Sequence, residues 1–300
     1  MSMHDHLEFR LLARGRRMRR SIHGLRLATC ALGLLAGGAC GELAAEAPAV
    51  PNAEFAAGDQ QPAGWTLEGA GRWVDRQLLE VTGSGQDSSH WRCDAYRFER
   101  ARTYRFQTRV RRVGGSGTAI TGPSFANRDQ AGLSSLWQWV GHVFRVPDGG
   151  DAGFLRLGQW HASGAIQFDQ VRVTPVVPVH RTQGDMVLGE GEIVRRGQYT
   201  FTGRFDHEGS NFHRPLTHAS AWFNSDRWTL GGGSHVTYEF GLPGHEFLNG
   251  RVEAHVNYHS RGCCVIEISC DGQTWSPLGP RKGETAAVKP RSGWAGRTTI

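Results

Sequence analysis

Ten tryptophans are spread through these 300 residues, and three of them fall where a sheet would turn them outward. In the stretch 137–146 (WQWVGHVFRV), Phe144 and Val146 read as core with His142 and Val140 in phase, so Trp137 and Trp139 take the opposite face. In 154–160 (FLRLGQW), Leu155 and Leu157 read as core, which turns Arg156 and Trp160 the other way. In 103–113 (TYRFQTRVRRV), Tyr104, Phe106 and Val110 point one way while Arg105, Gln107, Arg109 and Arg111 point the other. Flat apolar rings beside guanidinium and amide groups are what sugar-chain recognition requires. The rings offer a platform and the polar groups fix hydroxyls. The candidate carbohydrate-binding set is therefore Trp137, Trp139, Trp160, Arg109 and Gln107. The competing use of the same rings is packing under a loop or against a second domain.

Other chemistry has less support. There is no GxSxG, no HExxH and no P-loop, and a glycosidase carboxylate pair has no sequence signature of its own. The expectation is a protein without catalytic residues. His255, Asn257 and His259 share one strand face, but two histidines at i and i+4 on a strand lie about 13 Å apart, too far for one metal ion. Trp222 and Trp228 flank Asn224-Ser225-Asp226 and read as core or as a small loop platform.

The elements that must carry these residues are strands. Extended alternating segments joined by Gly and Pro turns, with almost no helical periodicity, predict an all-β chain of two tandem β-sandwiches. Strands are predicted at 65–69, 72–82, 91–98, 103–113, 137–146, 154–160 and 165–174, with a long loop over 120–135. The two prolines of TPVVPVHRTQ mark a linker at 176–184. The strand pattern resumes over 185–300, with Asp271-Gly272 as a hairpin turn. The last twenty residues lack a strand pattern, as a truncated or irregular final domain would.

The N-terminus reads as an export leader ending near residue 45. Arg16, Arg17, Arg19 and Arg20 form a basic region, Leu27 to Ala39 is uncharged and apolar, and small residues follow. Cys40 stands where a lipobox cysteine would be acylated, so it is the candidate lipidation site, and membrane attachment is expected only through it. The formal charge is +6, but the leader carries most of it, which removes the case for nucleic acid. A secreted, periplasmic or cell-surface location follows. Cys93, Cys263, Cys264 and Cys270 show no CxxC or Cys/His metal spacing.

Several markers recur in order along residues 51–175: Asn52…Phe55…Gly58, Pro62-Ala63-Gly64-Trp65, Thr103-Tyr104-Arg105-Phe106, Trp137-Gln138…Phe144-Arg145-Val146-Pro147 and Phe168-Asp169-Gln170-Val171-Arg172-Val173. This region resembles the galactose-binding-like jelly rolls that serve as carbohydrate-binding modules. The resemblance implies a β-sandwich that binds polysaccharide. It also implies a structural calcium held by a Glu after the first Phe and an Asp in the last strand. Asp169 matches the Asp, but Ala56 stands in place of the Glu. More faintly, Ser269–Trp275 (SCDGQTW) resembles the hairpin of discoidin-like domains. The resulting expectation is an exported, non-catalytic glycan binder. The alternatives are a surface protein that binds another protein, and the binding half of a larger glycoside hydrolase.

Overall fold

The computed structural model describes residues 7–15, 49–149, 153–206, 211–254, 264–277, 286–288 and 296–299. Among them there are strands, bridges and turns but no helix, so the chain is all-β. The first strand, β1 (Leu7–Gly15), lies within the expected leader. The rest of that leader, including Cys40, lies outside the described residues.

The first unit is built from β2 (Thr66–Glu68), β3 (Gly71–Val74), β4 (Leu78–Ser84), β5 (Ser88–Cys93), β6 (Thr103–Arg112), β7 (Ser116–Pro123), β8 (Ala126–Gln130), β9 (Gln138–Arg145) and β10 (Leu155–Pro175). β10 is 21 residues long, about 70 Å if straight, and it serves two sheets. Its first half pairs with β5 and β7, and its second half with β4 and β6. β2 extends the first sheet beyond β5, and β8 extends it beyond β7. β3 and β9 flank the second.

The β4–β5, β10 and β6–β7 segments all cross from one sheet to the other at a single corner. There β10 turns through His161 (φ 50°) and Gly164 (φ 82°). Gly115 (φ 79°) passes so close that a Cβ would sit 1.8 Å from the Ser163 carbonyl oxygen, a position only glycine tolerates.

Between the sheets, period-two alternation buries Leu79, Val81, Phe106, Val110, Phe144 and Phe168 from one side and Trp91, Cys93, Leu155 and Leu157 from the other. Phe98 joins Tyr104, Phe125 and Phe144 edge-on at 5.3–5.5 Å. Cys93 is a buried free thiol.

The stretch expected to be a long loop at 120–135 is instead largely the β7–β8 hairpin. The expectation failed because β7 packs through small residues rather than large apolar ones. Ala119 and Thr121 are buried, and Gly122 makes room for the His142 ring, 2.4 Å from where a Cβ would stand. The two strand segments expected at 154–160 and 165–174 are one continuous strand.

After Val177 and Val179, which are exposed, the second unit begins with the hairpin β11 (Arg181–Gln183) and β12 (Met186–Leu188). It continues through β13 (Glu192–Arg195), β14 (Gln198–Gly203), β15 (Leu216–Ala219), β16 (Trp222–Asn224), β17 (Arg227–Thr229), β18 (Val236–Phe240) and β19 (His245–Glu253). β1 pairs antiparallel with both β14 and β19. Glu192 is fully buried. Its carboxylate accepts from the Tyr199 hydroxyl at 2.6 Å, from the Gly189 amide and from both Arg214 Nε and Nη2, so both oxygens of the buried carboxylate are supplied with donors and its charge is paired. At the expected Asp271-Gly272 turn, Glu267 and Ile268 pair back onto Pro277 and Ser276. His255, Asn257, His259 and Cys263 lie outside the described residues.

The two units are joined by more than the linker. β16 pairs in parallel with β8, so β16 and β17 extend the first sheet. Asn211 bonds both the amide and the carbonyl of Arg145, and Asp148 Oδ2 accepts from the Ala219 amide at 2.8 Å.

Candidate binding faces

The tryptophans singled out by sequence do not share one face. Trp137, Trp139, Arg109 and Gln107 come together on the outer face of the second sheet. Arg109 lies opposite Trp139, and Gln107 lies opposite Gly141. Trp160 sits in the first half of β10, opposite Ser88 and Thr118, and therefore belongs to the outer face of the first sheet.

On the second sheet both indoles are covered by guanidinium groups. Trp137 has Arg111 at 4.5 Å and Arg109 at 5.3 Å, and Trp139 has Arg172 at 4.5 Å. The arginines are held in turn. Arg109 Nη1 donates to Asp169 at 2.6 Å, Arg111 donates twice to Gln167 Oε1, and Arg172 donates to Gln170 Oε1. Gln167 donates to Glu80 at 2.6 Å, and Glu80 receives Arg72 at 2.6 Å. One hydrogen-bonded line thus crosses four strands, from Arg72 to Arg111, and ends on the Trp137 ring.

These contacts bear on the expected calcium. The Asp169 carboxylate faces a guanidinium, and Glu54 receives Gln170 Nε2 at 3.2 Å. Asn52 Nδ2 donates to the carbonyls of Ala57 and Ala63. Among the described residues no group of three or more His, Cys, Asp or Glu side chains is disposed around a common point. Trp65, Trp73 and Trp91 are structural: their indole N–H groups donate to the carbonyls of Pro51, Phe55 and Glu80. Trp228 donates to the Tyr238 hydroxyl at 2.9 Å and packs on Phe223, while Trp222 is exposed.

The outer face of the first sheet holds a different set. One row runs Glu68, His90, Gly158, Ile120, Asp129 across β2, β5, β10, β7 and β8. Beside it lie Arg92 and Arg156, with Trp160 one step further along β10. Gly158 lowers the floor, since a Cβ there would come within 2.4 Å of His90 Cβ. Phe154 stacks with the His90 ring at 5.7 Å, and the Arg92 and Arg156 guanidiniums lie 4.0 and 5.3 Å from its centroid.

The electrostatics are uneven across this face. Arg92 bonds Glu68 and Asp94 and holds the Glu68 carboxyl below its usual range. Desolvation pushes the Asp129 carboxyl up and the His90 and Arg156 groups down. Arg156 Nε and His90 Nε2 are buried without a hydrogen-bond partner. The His90 nitrogen stands 3.4 Å from Glu68 Oε2 without the alignment a hydrogen bond needs. Among these residues only Arg156 and Trp160 carried a sequence expectation. The alternation of SSHWRC could have placed His90 and Arg92 outward, whereas Asp129 was hidden in the stretch taken for a loop.

No protein-family model and no curated protein matches this chain. Solved structures do match. One is a family 4 carbohydrate-binding module at 16% identity, covering 42% of this chain and 99% of that one with a TM-score of 0.33. Another is the second N-terminal cellulose-binding domain of Cellulomonas fimi β-1,4-glucanase C, at 14% identity, 45% and 98% coverage and a TM-score of 0.33. A third is the xylan-binding domain of Paenibacillus barcinonensis Xyn10C, at 16% identity, 44% and 96% coverage and a TM-score of 0.29. These neighbours are carbohydrate-binding modules, and at such identities and scores the likeness assigns no function to this chain.

Proposed function

We propose that the protein is an exported, non-catalytic glycan-binding protein and that the outer face of the first sheet takes a neutral polysaccharide. The observation that supports this most is the pair of buried, unpartnered nitrogens, Arg156 Nε and His90 Nε2, beside the glycine floor. A buried polar nitrogen without a partner is costly, so a face that leaves two of them on neighbouring strands is suited to ligand hydroxyls, which both donate and accept. Trp160, one step along β10 from that row, is stacked on the His161 ring at 4.4 Å and is 52% exposed, so its remaining ring surface is open. Arg92 bonds both Glu68 and Asp94, and Arg156 and Arg227 lie in the field of Asp129, so charges of both signs share the face and no single sign dominates it, as suits uncharged sugars. Export rests on the basic–apolar–small order of the N-terminus, and a lipid on Cys40 is the form in which the chain would be held at a membrane.

The test is affinity electrophoresis in gels cast with neutral polysaccharides such as xylan and mixed-linkage glucan. Retardation by at least one is expected, with loss in Trp160→Ala and Arg156→Met. Free migration through the whole panel, or retardation indifferent to both substitutions, refutes the proposal.

A further inference from the structure

The outer face of the second sheet has a different character. Each of its indoles has a guanidinium over it, although Trp139 remains 43% exposed, so open ring surface is not its dominant feature. What the face presents instead is arginine. Arg105, Gln107, Arg109 and Arg111 alternate along β6, and Arg172 joins them from β10 beside Gln107. From Arg105 to Arg111 the guanidinium row covers about 20 Å.

The charge on this row is incompletely compensated. Arg109 is paired with Asp169, and Arg72 at the far edge is paired with Glu80. Arg111 and Arg172 bond only the neutral carboxamide oxygens of Gln167 and Gln170, and Arg105 is exposed. A glutamine oxygen orients a guanidinium without cancelling its charge. Stacking on indole fixes its plane while leaving N–H edges directed outward. Arginines held this way lose little freedom when they bind, and their forked donors match planar or tetrahedral oxyanions.

We propose that this face is a second binding site, distinct from the neutral-glycan face, and that its ligand is an acidic polysaccharide whose carboxylate or sulfate groups dock on Arg111, Arg172 and Arg105. Gln107 lies among them with a free donor and acceptor for a ring hydroxyl. A single-stranded nucleic acid stacks its bases on open aromatic faces; here a guanidinium competes for each indole, and an oligothymidylate separates the two ligands.

The test uses the whole chain in gels or titrations containing polygalacturonate (carboxylate), dextran sulfate (sulfate), plain dextran (neutral) or an oligothymidylate. Binding to one or both acidic polymers is expected, weakening as salt rises and falling about tenfold or more in Arg111→Gln/Arg172→Gln. Binding to only one of the two still supports the site and identifies its acid group. Arg172→Gln alone, at an exposed position, should melt as the parent does, while Arg111→Gln removes both donors to the buried Gln167 Oε1 and should lower the melting temperature modestly without unfolding the chain, so binding is compared well below the melt. The proposal is overturned if neither acidic polymer binds, if plain dextran binds equally, if the double variant binds undiminished, or if the oligothymidylate binds as tightly through the same arginines. Trp160→Ala leaves this binding intact, so the two faces can fail separately.

Discussion

Two histidines lie deep in the protein, and acid should act on the fold through them. His142 is buried against Phe106 and Phe144, and its Nε2 donates to the Ala126 carbonyl at 2.7 Å while Nδ1 has no partner. His213 is ringed by Phe201, Phe205 and Phe212, and neither of its nitrogens is bonded. Desolvation lowers both from 6.5 to about 4. The unfolded chain therefore takes up these protons before the native state does, and stability present above pH 6.5 is lost as pH falls toward 4. Between pH 7 and pH 4.5 the loss works out at about 2.5 kcal/mol per histidine, or about 5 kcal/mol for the pair. His90 adds a smaller loss of the same sign, and Asp129, shifted upward, opposes it. The depressed carboxyls of Glu68 and Asp94 act mainly below this window. Urea unfolding across that pH range would show the slope. In His213→Phe the slope should fall by nearly half, and stability at pH 7 should be equal or higher because two unbonded nitrogens are gone. An unchanged slope in that variant would refute the reasoning.

Two further outcomes are expected. Arg214→Met strands the Glu192 carboxylate in the core and should cost about 3–5 kcal/mol, measured by urea melts. Adding Glu192→Gln should recover part of it, and a single-variant loss below about 1 kcal/mol would contradict the buried-pair account. Calcium and chelators should leave the melting temperature of the intact chain unchanged, since Arg109 holds Asp169 and Asn52 holds the loop carbonyls. A rise with calcium that Asp169→Asn abolishes would show a metal there instead.

Much of the fold was legible because burial writes itself into strands with period two. The outward placement of Arg105, Gln107, Arg109 and Arg111, and of Trp137 and Trp139 against His142 and Phe144, followed from alternation alone. What alternation does not encode is which sheet a strand joins. Trp160 is separated from the other two tryptophans because β10 changes sheets at His161–Gly164, and a bend of that kind is carried by backbone angles. The β7–β8 hairpin was missed because alanine, threonine and glycine fill its inner face. The pairing of Asp169 with Arg109 joins residues sixty positions apart, a distance that local patterning cannot bridge. The orphan nitrogens of Arg156 and His90 emerge only once neighbouring strands are in place.

The shared strand β10 also sets an order on folding. β4, β5, β6 and β7 all pair with it, yet it begins only at Leu155. Until that segment leaves the ribosome, neither sheet has its middle, and each of those four strands, paired only with β3, β2, β9 or β8, has one edge open. The closest pairing between β4 and β10 spans nearly eighty residues, so the contact order is high and folding should be slow. The exposed edge of β8 stays open longer still, until Trp222–Asn224 arrives to cover it. A nascent chain halted before residue 155 should therefore be a sticky intermediate that needs a holding chaperone. Ending an expression fragment at the linker would leave β8 as a free edge prone to self-association.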